Sequence, residues 1–267
     1  MIKAIIFDFD GTLADTIPAL TVGVNNTLRL LGHPTHTEQE VLGFVNRGAR
    51  ELIRRSLPAP YRDDDAYVDR ALTLYTREYE KVYPLTQTTY PGLDVLVADL
   101  HRRFRVGVLS NKQDEILSKL VRRVLPAGSW DAVVGVERGK PTKPDPYLSR
   151  KLAAALGVDP AECILVGDSD VDFATAQNAG MTHIGVAWGY RSAEFLRAAG
   201  AVRIADVVIP YYSVFIKKEF FARGFKRTPV RLIAAIIHTV FYNTEVGHTV
   251  GIFRYDFVKG IFGDYRA

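Results

Sequence analysis

Apolar residues along this chain follow two rhythms. In one they run continuously over a few positions: within Lys3–Phe9, and in RVGVLS (105–110), AVVGV (132–136), CILVG (163–167) and HIGVAW (183–188). In the other they recur every three or four residues, as Leu20, Val24, Leu28 and Leu31 do before Gly32. Continuous runs predict strands buried on both faces, and the wider spacing predicts helices. The helical rhythm predicts a helix starting at Thr16-Ile17-Pro18, with Thr16 as cap, and others over Glu38–Phe44, Ala49–Leu57 and Asp63–Val82. The last opens on three aspartates, which suit the positive end of a helix dipole. Beyond Pro91, strands alternate with helices over Asp114–Val124, Tyr147–Leu156, Phe173–Ala179 and Ala193–Ala199, and Asp206–Ile209 fits a last strand.

Alternating strands and helices predict an α/β fold: a doubly wound parallel sheet covered on both sides. The first strand has the same character as the later ones, yet an all-helical stretch separates it from them. The expected organisation is therefore a core of residues 1–14 and 85–210, a helical cap inserted at 15–84, and a C-terminal extension at 211–267.

Charge changes the picture only in that extension. It holds nine Lys/Arg, four acidic residues and 13 of the 27 Phe and Tyr residues. The formal net charge of +4 therefore belongs to the tail, the rest of the chain being slightly acidic. Interleaved basic and aromatic residues fit a membrane-surface or polyanion contact, but an extra packing layer or self-association surface is the preferred expectation. The single cysteine, Cys163, sits in an apolar run and fits a reducing cytosol, so a cytoplasmic location is expected. The N-terminus does not read as a secretory signal, and no apolar run approaches the ~20 residues of a membrane span.

Chemistry gathers where the strands end. The first run stops at Asp8-Phe9-Asp10, the second at Ser110-Asn111-Lys112, and the fourth at Gly167-Asp168-Ser169-Asp170-Val171-Asp172; GKPTKPDP (139–146) adds Lys140 and Lys143. Ligands of open α/β sheets bind beyond the carboxyl ends of the strands. Carboxylates gathered there cannot all ionise without a counter-charge, and Mg²⁺ suits oxygen ligands. A lysine with hydroxyl and amide donors beside that metal suits phosphate oxygens, and a carboxylate facing a phosphate can act as nucleophile. His33 and His36 lack acid or cysteine partners at ligand spacing and are expected to be loop residues. His183 is expected to be an ordinary strand residue.

Four stretches in order, DFDGTL, LSN, KPDP and GDSDVDFATAQNAG, resemble the four motifs of the haloacid dehalogenase superfamily, over residues 1 to about 210. GFVNRGARELIRRSL (43–57) is similar to the lid loop of its phosphoglycolate phosphatase-like members. The resemblance implies a Rossmann-like core and a Mg²⁺-dependent phosphatase of a small phosphomonoester, 2-phosphoglycolate being the best single expectation. It implies Asp8 as nucleophile, Asp10 as general acid and base, and Lys143 as the neutralising lysine, with Lys140 as the fallback. It implies Ser110 and Asn111 as phosphate ligands. The metal is expected on Asp8, Asp10 (through its carbonyl), Asp168 and Asp172, with Asp170 capping the helix that follows. Arg47 is a candidate for the substrate's second anionic group. Members that cleave carbon–halogen bonds lack a carboxylate at the position of Asp10, so phosphoryl chemistry is expected. Pyrophosphate hydrolysis, sugar-phosphate mutase action and a non-catalytic scaffold with a binding tail are the alternatives.

Overall fold

A computed structural model describes residues 1–85 and 89–205. Six parallel strands form one sheet: β1 (Ala4–Phe7), β2 (Arg105–Gln113), β3 (Ala132–Val136), β4 (Cys163–Gly167), β5 (Thr182–Val186) and β6 (Ile204–Ala205). Their spatial order is β3-β2-β1-β4-β5-β6. β1 therefore lies centrally, bonded to β2 on one side and β4 on the other. The chain winds outward from it in both directions, which makes the carboxyl end of β1 the switch point where ligands lodge.

Pleating sends alternate residues of β1 to opposite faces. Ile5 and Phe7 join a cluster with Leu93, Leu96 and Val97 of α6 (Leu93–His101) and Leu117 and Leu120 of α7 (Asp114–Val124). Ala4 and Ile6 join the opposite cluster, with Leu148 and Leu152 of α8 (Tyr147–Leu156) and Ala176 of α9 (Asp170–Ala179). Both faces are thus covered, as continuous apolar strands require. The α10 helix (Ala193–Ala198) packs beside β5.

The helical block comprises α1 (Ile17–Leu30), α2 (Glu38–Leu42), α3 (Ala49–Ser56), α4 (Ala59–Arg62) and α5 (Asp65–Val82). Its centre is the α1–α5 pair. Tyr75 and Tyr79 of α5 lie against Gly23 of α1, where an added Cβ would meet both rings at 3.2 Å. The same apolar cluster runs from this block into the sheet through Leu13, Ile17 and Leu20. Each fully buried leucine in it stabilises by about 1.5–3 kcal/mol.

Several boundaries differ from the sequence reading. The first strand stops at Phe7, so Asp8 and Asp10 stand in the turn beyond it. The helix expected over Asp63–Val82 is α5 and starts two residues later, at Asp65, because Asp64 caps it by accepting the Tyr67 N–H at 2.9 Å; the short α4 ends before it at Arg62. The helix expected from Phe173 starts a turn earlier, because Ser169 and Asp172 form a reciprocal capping box. Of the two cap candidates in the sequence, Asp170 and Ser169, the structure uses Ser169. The strand expected at Asp206–Ile209 and the extension at 211–267 lie outside the described residues.

Candidate active site

The carboxyl ends of β1 and β4, the first turn of α9 and the loop before α8 deliver four buried charged side chains, Asp8, Asp168, Asp172 and Lys143, to one point. Lys143, its side chain 3% exposed, places Nζ 2.9 Å from Asp8 Oδ1 and 2.6 Å from Asp172 Oδ1. Asp8, Asp168 and Asp172 bring one oxygen each within 4.8 Å of one another, a group able to hold a metal ion. Three carboxylates against one ammonium leave an excess of two negative charges in a buried place. Burial, then the Asp172 carboxylate, push Asp8 well above the usual carboxylate range, although Lys143 opposes them. Asp168 is pushed up to about 7 by burial and Asp172, against the Tyr190 N–H and Lys143. Burial would lower the Lys143 ammonium, but Asp172 and Asp8 outweigh it and keep the charge on. The donor set is all oxygen and short of positive charge by two, which fits a divalent cation of the hard, oxygen-seeking kind.

The surrounding chain is built to hold these acids close. Asp168 Oδ2 accepts the Tyr190 N–H at 2.7 Å, and its Oδ1 takes the Thr12 hydroxyl at 3.3 Å. Gly11, at φ +81°, makes the turn after Asp10, and a Cβ there would sit 2.8 Å from the Asp168 carboxyl carbon. Gly167 lies as close against Asp172: an added Cβ would come within 2.6 Å of its Oδ2. Asp172 has both oxygens engaged, one by Lys143 and the other by the Ser169 hydroxyl at 2.5 Å.

Asp10 stands to one side of this cluster. Its Oδ1 takes the Thr16 hydroxyl at 2.6 Å and faces Lys112 Nζ at 3.1 Å; Ser110 Oγ lies 3.4 Å from Oδ2. Thr16, expected as a helix cap, makes no side-chain capping bond. Its hydroxyl is used on Asp10 and on the Tyr190 hydroxyl, 2.8 Å away. Above the acids lies a cavity of about 70 Å³. Its polar floor includes Asp8, Asp10, Ser110 and Lys143, and its apolar wall includes Leu20, Val45, Leu52, Tyr75 and Ile116.

A family model described as haloacid dehalogenase-like hydrolase matches residues 5–186. The chain belongs to the haloacid dehalogenase-like hydrolases. It is 30% identical over 210 residues to a phosphoglycolate phosphatase of Vibrio vulnificus, covering 77% of this chain and 92% of that one. With a phosphoglycolate phosphatase of Nitrosospira multiformis it shares 32% identity over 192 residues, 71% of this chain and 85% of the relative. Among solved structures, CbbY of Rhodobacter sphaeroides in complex with phosphate matches with a TM-score of 0.62 at 27% identity, covering 77% of this chain and 94% of that one.

The other residues singled out in the sequence of this hydrolase fall in different places. Lys140 is outside the cluster, its Nζ 5.7 Å from the centre of the Tyr147 ring. Asn111 lines the cavity, but its carboxamide is committed to the backbone: it accepts the Lys143 N–H at 2.8 Å and donates to the Lys143 carbonyl at 3.0 Å. These two bonds steady the lysine. Arg47 does not line the cavity; its side chain is 56% exposed and lies 3.8 Å from Asp170. His33 and His36 bond to the Tyr67 hydroxyl and the Ser56 carbonyl. His183 is a buried residue of β5, pushed down to about 4 by burial. Cys163 is buried in β4, and burial pushes its thiol up to about 12.

Sequence reasoning gave no role to Lys112, Asn46, Tyr79, Thr12 or Tyr190. Lys112 had a signal, since it follows Ser110-Asn111 directly. Asn46 adopts φ +80°, a left-handed conformation more open to Asn than to most residues, but only the folded backbone reveals it. Among the described residues, no helix is long and apolar enough to cross a membrane.

Proposed function

We propose that the phosphoric monoester hydrolysed by this enzyme is small, with 2-phosphoglycolate the preferred substrate, and that Asp8 carries the phosphoryl group between two half-reactions. The observation that carries this reading is the Asp8–Lys143–Asp172 chain beside Asp168, at the switch point of the sheet and beneath a small cavity. Asp8 attacks phosphorus and the bond to the leaving oxygen breaks. Asp10, within reach of the same cavity, gives that oxygen a proton and later takes one from the attacking water. Lys143 and Ser110 oppose the charge on the phosphate oxygens. Asp8, Asp168 and the Asp10 carbonyl would hold Mg²⁺, and Asp172 steadies Lys143 and would orient the metal or its waters. When bound, Mg²⁺ supplies charge neutralisation for the carboxylates and the transferring group.

The cavity volume and the phosphoglycolate phosphatase relatives support a small substrate and a two-carbon acid. The all-helical block α1–α5, which roofs the cavity, is read as the lid. The phosphoglycolate phosphatase relatives support a hydrolase over the mutase and scaffold alternatives. The test is a panel of phosphomonoesters, pyrophosphate and sugar phosphates with purified protein and Mg²⁺. Turnover concentrated on small esters is expected. Absence of phosphate release from every ester would end the reading.

A further inference from the structure

We infer that Lys112, together with Asn46 on the same cavity, is the subsite for a second anionic group on the substrate, so that this enzyme selects esters carrying a carboxylate close to the phosphate. The inference rests on the phosphomonoesterase reading and names the chemistry that reading leaves open.

The cavity is lined by two cationic side chains, Lys112 and Lys143. Lys143 is committed, held between two carboxylates at the floor. Lys112 comes from the other side. Its side chain is 8% exposed, and its Nζ lies 3.1 Å from both Asp10 Oδ1 and the Tyr79 hydroxyl of the lid. It also stands 4.9 Å from the centre of the Tyr79 ring. Asp10 and the Tyr79 hydroxyl answer this charge in the cavity, and an ammonium carries three donors, so it can also meet a substrate anion.

Asn46 adds an independent sign. It lines the same cavity, its backbone is in the left-handed region, and its Nδ2 is buried with no hydrogen-bond partner. An unpaired buried amide donor lining the same cavity as an ammonium suits an oxygen anion. Strained backbone of this kind clusters at ligand sites. Arg47, the neighbouring residue, faces Asp170 on the outside and does not compete for this role. Asp8 and Lys143 on the floor and Lys112 and Asn46 on the wall line one cavity, so phosphate and second anion would share it.

The experiment compares 2-phosphoglycolate with 2-hydroxyethyl phosphate, which keeps the shape and replaces the carboxylate by a neutral hydroxymethyl group. Lys112→Met keeps the aliphatic stem, and Asn46→Asp places a like charge against the carboxylate. The wild-type enzyme is expected to prefer the carboxylate ester. Each variant is expected to lower that preference, the ratio of kcat/KM values, by about tenfold or more, chiefly by weakening apparent binding of the carboxylate ester, seen as a raised KM. Lys112→Arg should retain part of the preference. A ratio unchanged in folded Asn46→Asp and Lys112→Met, both esters losing rate equally, would overturn the inference while leaving the phosphatase reading intact. A wild-type enzyme inactive on every ester would remove both.

Discussion

The Asn111 carboxamide clamps the backbone of Lys143, accepting its N–H at 2.8 Å and donating to its carbonyl at 3.0 Å. Residues 32 positions apart are thereby fixed so that one ammonium sits between Asp8 and Asp172. Asn111→Leu keeps the volume and removes both bonds. The expected cost is about 1–3 kcal/mol of stability, for buried backbone groups left unpaired. Turnover should fall by about 100-fold, the usual effect of an ångström-scale misplacement. Urea unfolding and steady-state kinetics check the two numbers.

Metal affinity should climb with pH. In the metal-free protein Asp168 is raised to about 7 from an ordinary 3.8. Its contribution to stability is therefore fully present below 3.8 and is lost as pH rises through 7. Mg²⁺ displaces that proton, so affinity should weaken by about tenfold per pH unit below about 7. Removal of metal should destabilise the protein more at about pH 8 than at about pH 5. Thermal unfolding with Mg²⁺ and with chelator, across that range, reads both effects. A metal-dependent shift of equal size at every pH would contradict the assignment of the acid cluster.

Gly167 and Gly185 sit on neighbouring strands and differ in what a methyl group would meet. At Gly167 it would collide with the Asp172 side chain. At Gly185 it would touch Leu196 and Ile204 at 3.3 and 3.4 Å. Gly167→Ala is expected to cost about 1–3 kcal/mol by overpacking and to lower kcat, since Asp172 must move off Lys143. Gly185→Ala should cost under about 1 kcal/mol and leave kcat near that of the parent. Denaturation and kinetics of the two variants side by side make the comparison.

Much of the fold is legible in the chain because its elements obey local rules. Continuous apolar runs such as CILVG mark the central strands, and the charged residues that follow them mark the end of the sheet where a site forms. Asp8, Asp10, Lys143 and Asp168 stand out from those positions and from the family motifs. Lost to sequence reasoning is whatever depends on three-dimensional competition for a partner. Asn111 stands out as a motif residue, but the bonds of its side chain to the Lys143 backbone are not legible in the chain. Thr16 looks like a helix cap, yet its hydroxyl reaches Asp10. Arg47 and Lys112 are both cations near the lid. Only the fold turns one outward to Asp170 and the other inward to Asp10 and Tyr79.

The central claim is that Asp8 itself takes the phosphoryl group. The direct measurement is acid quenching of a single turnover with radiolabelled substrate, followed by mapping of the label. Label on the peptide containing Asp8 in the wild-type enzyme is predicted, together with its loss and at least about 1,000-fold slower turnover in folded Asp8→Asn. Turnover undiminished in Asp8→Asn, or label that never resides on Asp8, would contradict the account.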